Sequence, residues 1–217
     1  GALAFIEKAT ASGMIISLGH TGATRQRVRE AVEAGAKMST HLGNGAHATL
    51  PRHDNYIWEQ LAADDLWAGL IPDGHHLPGP VLKSFCRGKQ KERVCLVSDV
   101  ASIAGLPAGV YDRVYGEDRV EIHENGKISL ADTPYLAGAS LFLDKGIPNT
   151  VAFTDASLED AVEMASINPA KLLGVDDRLG IVEPGKEASL TLFRWQEGQD
   201  VLDIVATIVA GEVVHQG

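Results

Sequence analysis

Short apolar runs alternate with longer amphipathic stretches over the first hundred residues. Runs at 14–18, 36–40, 67–71 and 93–98 have the length and apolar density of buried strands. Between them the apolar positions recur at helical spacing. A helix is predicted over 2–12, closed by Gly13, and another over 24–34, with Thr24 as N-cap and Gly35 as stop. In the second helix Val28, Ala31 and Val32 face inward. A third, over 55–64, places Ile57, Trp58 and Leu61 on one face. A fourth starts around Pro78 and Pro80, runs to Arg87 and ends at Gly88. Repeated strand–helix–strand alternation predicts an α/β fold with a parallel sheet and right-handed crossovers.

The texture changes over 101–139, which is rich in Gly, Pro, Asp and Asn. There the alternating segments 119–123 and 127–130 flank Glu124-Asn125-Gly126, a hairpin signal. Helices are expected at 140–152 and 157–167, and Asn168-Pro169-Ala170 opens a short one ending at Gly174. The tail is strand-like at 188–194, 204–209 and 212–215 and reads as a small β module. Only four barrel-type strands are visible, whereas a closed (β/α) barrel has eight. The abrupt start therefore suggests the second half of a longer protein, or one whose other half is a separate chain.

Composition narrows the function. Of 217 residues, 45% are hydrophobic and 22% charged, with a formal net charge of −10. That balance argues against a nucleic-acid partner, which needs a basic face. A small anionic substrate held by local cations stays compatible with it. Two cysteines, Cys86 on a helix and Cys95 in a strand, suit a reduced, cytoplasmic protein better than a disulfide scaffold. No apolar run reaches bilayer length, so no membrane partner is expected, and no secretory leader is visible.

The chemistry collects at the strand ends. The four runs lead into Gly19-His20, Thr40-His41, Asp73-Gly74-His75-His76 and Ser98-Asp99. Taken singly, a His after a strand is usually a loop hydrogen bonder and an Asp a turn cap. Four in succession point to a metal-assisted hydrolytic site, because strand ends converge on one mouth in this architecture. His20 and His41 are the ligand candidates and Asp99 the acid/base candidate. Gly43-Asn44-Gly45 is either a tight turn or a set of backbone N–H groups for an anionic oxygen. Arg52 is either a solvated arginine or a bidentate clamp on phosphate or carboxylate. His47, His53 and His123 stay outside the core assignment.

At these residues the chain resembles the C-terminal portion of the N-acetylglucosamine-6-phosphate deacetylases, within the amidohydrolase superfamily. The resemblance rests on Gly19-His20-Thr21, Thr40-His41-Leu42-Gly43-Asn44, Asp73-Gly74-His75-His76, Ser98-Asp99 and Leu136-Ala137-Gly138-Ala139-Ser140. Asn168-Pro169-Ala170 and Pro184-Gly185-Lys186 also fit but discriminate little. It implies a TIM-barrel-like fold beside a small β-sandwich. Residues 1–175 would form the second half of the barrel, with a hairpin insertion near 109–130, and 176–217 strands of the sandwich. It implies a phosphorylated amino sugar as substrate and loss of acetate from its 2-acetamido group. One divalent metal is implied, with Zn favoured and Fe, Co or Mn open, and a homodimer for the full-length form. The metal histidines map onto His20 and His41, and the proton-transferring aspartate onto Asp99. Asn44, Gly45, Arg52 and His76 map onto substrate contacts, and Leu136, Ala137 and Gly138 onto a loop covering the sugar.

Three departures from that pattern stand out. The glutamate ligand belongs to an earlier strand that this chain lacks. Gly43 replaces an aromatic residue, and Asn44-Gly45-Ala46 replaces Asn-Ala-Met, which puts the identity of the sugar in question. Val100 stands where a small residue is usual. The competing expectations are another amidohydrolase acting on a different amide or cyclic amide, and a non-catalytic homologue.

Overall fold

A computed structural model describes residues 1–113 and 118–217. Helix and strand alternate as α1 (Ala2–Ala11), β1 (Ile16–Leu18), α2 (Arg25–Glu33), β2 (Ala36–Ser39), α3 (Tyr56–Ala62), β3 (Trp67–Leu70), α4 (Gly79–Lys89) and β4 (Val94–Leu96). The strands pair in parallel in chain order, β1-β2-β3-β4. The sheet β3–β4 is buried at every position, as expected of parallel strands covered by helices.

Local chemistry sets the helix limits. Thr24 accepts from the Arg27 amide at 3.3 Å and starts α2. Asn55 accepts from the Ile57 and Trp58 amides and starts α3. Two expectations are corrected here. Trp58 does not share the buried face of α3: it is 50% exposed and its Nε1 donates to the Arg52 carbonyl at 3.0 Å. The buried face carries Tyr56 and Gln60 instead. Gly88 does not end α4, which continues to Lys89 and stops at Gln90, with φ of 61°. The lack of a side chain at Gly88 instead admits Leu61, which a Cβ would meet at 3.1 Å.

A four-stranded antiparallel sheet follows: β5 (Gly109–Asp112), β6 (Arg119–Ile122), β7 (Lys127–Leu130) and β8 (Leu136–Ala139). The Asn125-Gly126 turn joins β6 and β7 as expected, but the sheet is twice as wide as the hairpin. Leu136, Ala137 and Gly138, expected in a covering loop, lie in β8. Leu136 pairs with Ser129 of β7 and Ala139 with Lys127, a pairing that the sequence does not advertise. Helices α5 (Leu143–Phe153), α6 (Leu158–Ala165) and α7 (Ile167–Leu173) follow, then the antiparallel sheet of β9 (Leu190–Arg194), β10 (Asp203–Val209) and β11 (Glu212–Gln216).

The main core lies between the parallel sheet and its helices, with Leu70, Leu82, Phe85, Val94, Leu96 and Met164 at its centre. The tail contributes Leu202 to it, and the Leu202 amide donates to the Asp144 carbonyl at 2.8 Å. The buried Asn168 donates through Nδ2 to the carbonyls of Lys91 and Val94, both at 2.8 Å. Its Asn-Pro-Ala motif therefore anchors the start of β4. Among the described residues no helix is long and apolar enough to cross a membrane.

Candidate active site

The C-terminal ends of the four parallel strands open on one cavity of about 720 Å³. His20, His41, Asn44, Gly45, His76, Asp99 and Leu136–Gly138 all line it. The candidate residues, from the strand ends and from the resemblance together, thus line one cavity, with one exception. Arg52 sits on the exposed loop before α3 and is not among the lining residues. The arginine that lines the cavity is Arg113, just past β5, and Tyr135 lines it too. Sequence reasoning missed both. Neither stands in a motif, and only the folding of the second sheet over the strand ends delivers them.

His20, His41 and Asp99 share an unusual backbone. Their φ angles are 45°, 31° and 53°, in the left-handed region that side chains other than glycine rarely enter. Such strain costs about 1–3 kcal/mol per residue and is held by surrounding structure. At Asp99 the holding is visible. Its carbonyl accepts from the Ala139 amide at 2.8 Å, and Val100 bridges to Ala139 in parallel, so β8 clamps the strand end. At His41 the next amide, Leu42, donates to the Gly69 carbonyl of β3 at 2.8 Å.

The two imidazoles meet edge to face, with ring centroids 4.7 Å apart at 82° and their Nε2 atoms 3.0 Å apart. Two imidazole nitrogens on one tetrahedral zinc, each about 2.0–2.1 Å from it, would sit roughly 3.4 Å apart. The observed separation is shorter than that and is itself a hydrogen-bond distance, so the two rings point at one another and would part slightly to share a cation. His41 is buried, and its Nδ1 has no hydrogen-bond partner among the described residues. The same holds for Asn44 Nδ2, an orphan donor beside the cavity. Among the described residues no group of three or more His, Cys, Asp or Glu is placed to hold a metal. Two candidate donors converge here, and no third joins them among the described residues.

The loop after β3 contributes a second pair. Asp73 Oδ1 accepts from the His75 and His76 amides at 2.9 and 2.8 Å, and His76 Nδ1 lies 2.7 Å from Asp73 Oδ2. Both side chains are about 5% exposed or less. Burial pushes the Asp73 carboxyl up, but the hydrogen bonds from the His76 ring and amide and from the His75 amide outweigh it. The group ends below its ordinary value. On its other side His76 Nε2 lies 4.0 Å from Asp99 Oδ2, and the Asp99 side chain is 44% exposed to the cavity. The three histidines left outside the core assignment lie elsewhere. His47 Nδ1 pairs with the Tyr56 hydroxyl at 2.9 Å, His123 Nε2 with Ser129 Oγ at 2.8 Å, and His53 is exposed.

Half a (β/α) barrel whose strand ends gather two imidazoles and a carboxylate defines a class: the chain belongs to the amidohydrolase family, whose model matches residues 2–214. Within it, the chain is 36% identical over 190 residues to an N-acetylgalactosamine-6-phosphate deacetylase of Escherichia coli O157:H7, covering 88% of this chain and 49% of that protein. It is 29% identical over 201 residues to an N-acetylglucosamine-6-phosphate deacetylase of Haemophilus influenzae, covering 93% and 51%. The solved N-acetylglucosamine-6-phosphate deacetylase of Pasteurella multocida superposes with a TM-score of 0.87 at 28% identity, covering 99% of this chain and 54% of that one. The chain spans about half the length of these relatives.

Proposed function

We propose that this chain is the catalytic-face half of a deacetylase that removes acetate from an N-acetyl hexosamine 6-phosphate. The observation that carries the reading is the convergence of His20, His41 and Asp99 on one cavity, all three in left-handed backbone. Similarity to relatives named as deacetylases of two such sugar phosphates supplies the substrate class.

His20 and His41 would hold the divalent cation, with zinc favoured by imidazole ligation and Fe, Co or Mn as the other candidates. A third ligand would come from outside these residues. When bound, that cation lowers the pKa of a coordinated water and polarises the amide carbonyl. The work of the chain is proton transfer and placement. Asp99 takes a proton from the attacking water at its carboxylate and delivers it to the departing amine nitrogen. Asn44 Nδ2, unpaired in its pocket, donates to a substrate oxygen, and the Gly45 backbone closes the turn against it. His76 would contact the sugar, and Leu136, Ala137 and Gly138 of β8 would cover it, all of them residues that line the cavity. In the full-length form the protein would be a cytoplasmic homodimer.

Acetate release tests the reading. A full-length protein carrying these residues should deacetylate N-acetylglucosamine 6-phosphate, and Asp99→Asn should lower kcat by about 10²–10⁴-fold. Unchanged turnover would overturn the role of Asp99. A second sugar has its own support. The relative from Escherichia coli O157:H7 is named for the galactosamine epimer, and the wall at Gly43 and Gly45 departs from the glucosamine-type pattern. The ratio of kcat/KM for the two epimers decides between them.

A further inference from the structure

We infer that Asp73 is a positioning residue of this site: it fixes the His76 ring with its proton on Nδ1 and presents Nε2 to the cavity opposite Asp99. The loop that follows β3 is folded around the Asp73 carboxylate. One oxygen gathers the His75 and His76 amides, and the other faces His76 Nδ1 at 2.7 Å. An ionised carboxylate only accepts hydrogen bonds. Nδ1 must therefore carry hydrogen in every charge state of the ring, and neutral His76 offers a lone pair at Nε2. Both partners are nearly fully buried, so water does not compete for the bond. The arrangement matches the general rule that an imidazole's working nitrogen is set by the bond its other nitrogen makes.

The consequence lies on the cavity side. Nε2 and Asp99 Oδ2 are 4.0 Å apart, too far for a direct hydrogen bond. Two acceptors at that separation suit a ligand atom that carries two hydrogens, a water or a primary amine. Those are the species that enter and leave in amide hydrolysis. This last step rests on the proposed role of Asp99, whereas the tautomer is a property of the chain alone.

The test is spectroscopic first. In the ¹⁵N-labelled chain, at a pH high enough that the ring is neutral, long-range ¹⁵N–¹H correlations should show hydrogen on His76 Nδ1 and a bare Nε2. Hydrogen on Nε2 alone would overturn the proposal without any variant. Asp73→Asn places an amide opposite Nδ1 and should shift the ring toward the Nε2–H form. In the full-length protein that variant should lose about tenfold or more in kcat, with a smaller change in KM. Should Asp73→Asn fold poorly, Asp73→Glu should recover the Nδ1–H tautomer and part of kcat. A shifted tautomer with undiminished kcat would end the positioning role. An active Asp99→Asn variant beside the expected tautomer would instead remove the proposed chemistry and leave the assignment of Asp73 standing.

Discussion

Gly45 shows how little room surrounds the paired imidazoles. A Cβ built there would lie 2.7 Å from Cε1 and Nδ1 of His20, and the backbone holds φ of 60°. Gly45→Ala should push the His20 ring off the His41 Nε2 and weaken zinc binding by about tenfold or more, the usual cost of disturbing a ligand's support. Titration of the chain against a chromophoric chelator measures this, and unchanged affinity would refute it. Gly43 answers one of the departures from the family pattern. A Cβ there would meet the buried Phe85 ring of α4 at 2.8 Å, so with Phe85 in this position the backbone at 43 has no room for a side chain on that side. The cations separate two readings of the substrate. Arg113 lines the cavity and Arg52 does not. If the phosphate lies in this cavity, Arg113→Leu should raise KM for the phosphorylated sugar by about ten- to hundredfold, the worth of a charge-assisted hydrogen bond. Arg52→Leu should raise it only if another copy of the chain brings that loop to the site. Indifference to both substitutions would favour an amide without phosphate.

Among the elements, α3 and α4 are joined by an unusual bond. Lys89 in the last turn of α4 is 4% exposed, and its Nζ donates to the carbonyls of Ala63 and Leu66 beyond the end of α3. Burial pulls this ammonium down to about 8, with Arg93 adding to the effect and Asp64 and Asp65 opposing it. Removing it leaves the Leu66 carbonyl without this donor, while the Ala63 carbonyl keeps the Leu66 amide. Lys89→Met should therefore destabilise the chain by about 1–3 kcal/mol, read from the guanidinium unfolding midpoint. The elements themselves were largely legible. The Thr24 and Asn55 caps, the Asn125-Gly126 turn and the left-handed Gly174 at the end of α7 are local signals, and each does what its residue type allows. Strands β5 and β8 were not legible. Gly109–Asp112 and Leu136–Ala139 are short and carry glycine, and they become strands only by pairing with β6 and β7. Trp58 was misplaced for a related reason: its spacing fits the buried face, but the Arg52 carbonyl draws its indole outward.

Across the whole molecule the parallel sheet has an unpaired edge among the described residues at β1, whose ladder partner is β2 alone. Near that edge Phe5, Met14 and Ile15 are 63%, 61% and 38% exposed. Parallel sheets are normally covered on all sides, and open edges invite pairing. The chain by itself should associate with rising concentration in sedimentation, and Met14→Lys with Ile15→Lys should reduce that association. Mass independent of concentration in the unaltered chain would contradict the expectation. The sequence alone determined the alternation of the four parallel strands with their helices, the residue at each strand end and the family they resemble. Those depend on periodicity, caps and turns, which act over a few residues. Only the tertiary structure decided that the His20 and His41 nitrogens face each other and that Asp73 holds His76. It likewise set Arg113 on the cavity wall in place of Arg52. Those contacts join residues far apart in the chain, and sheet register and loop packing fix them where no local pattern reaches.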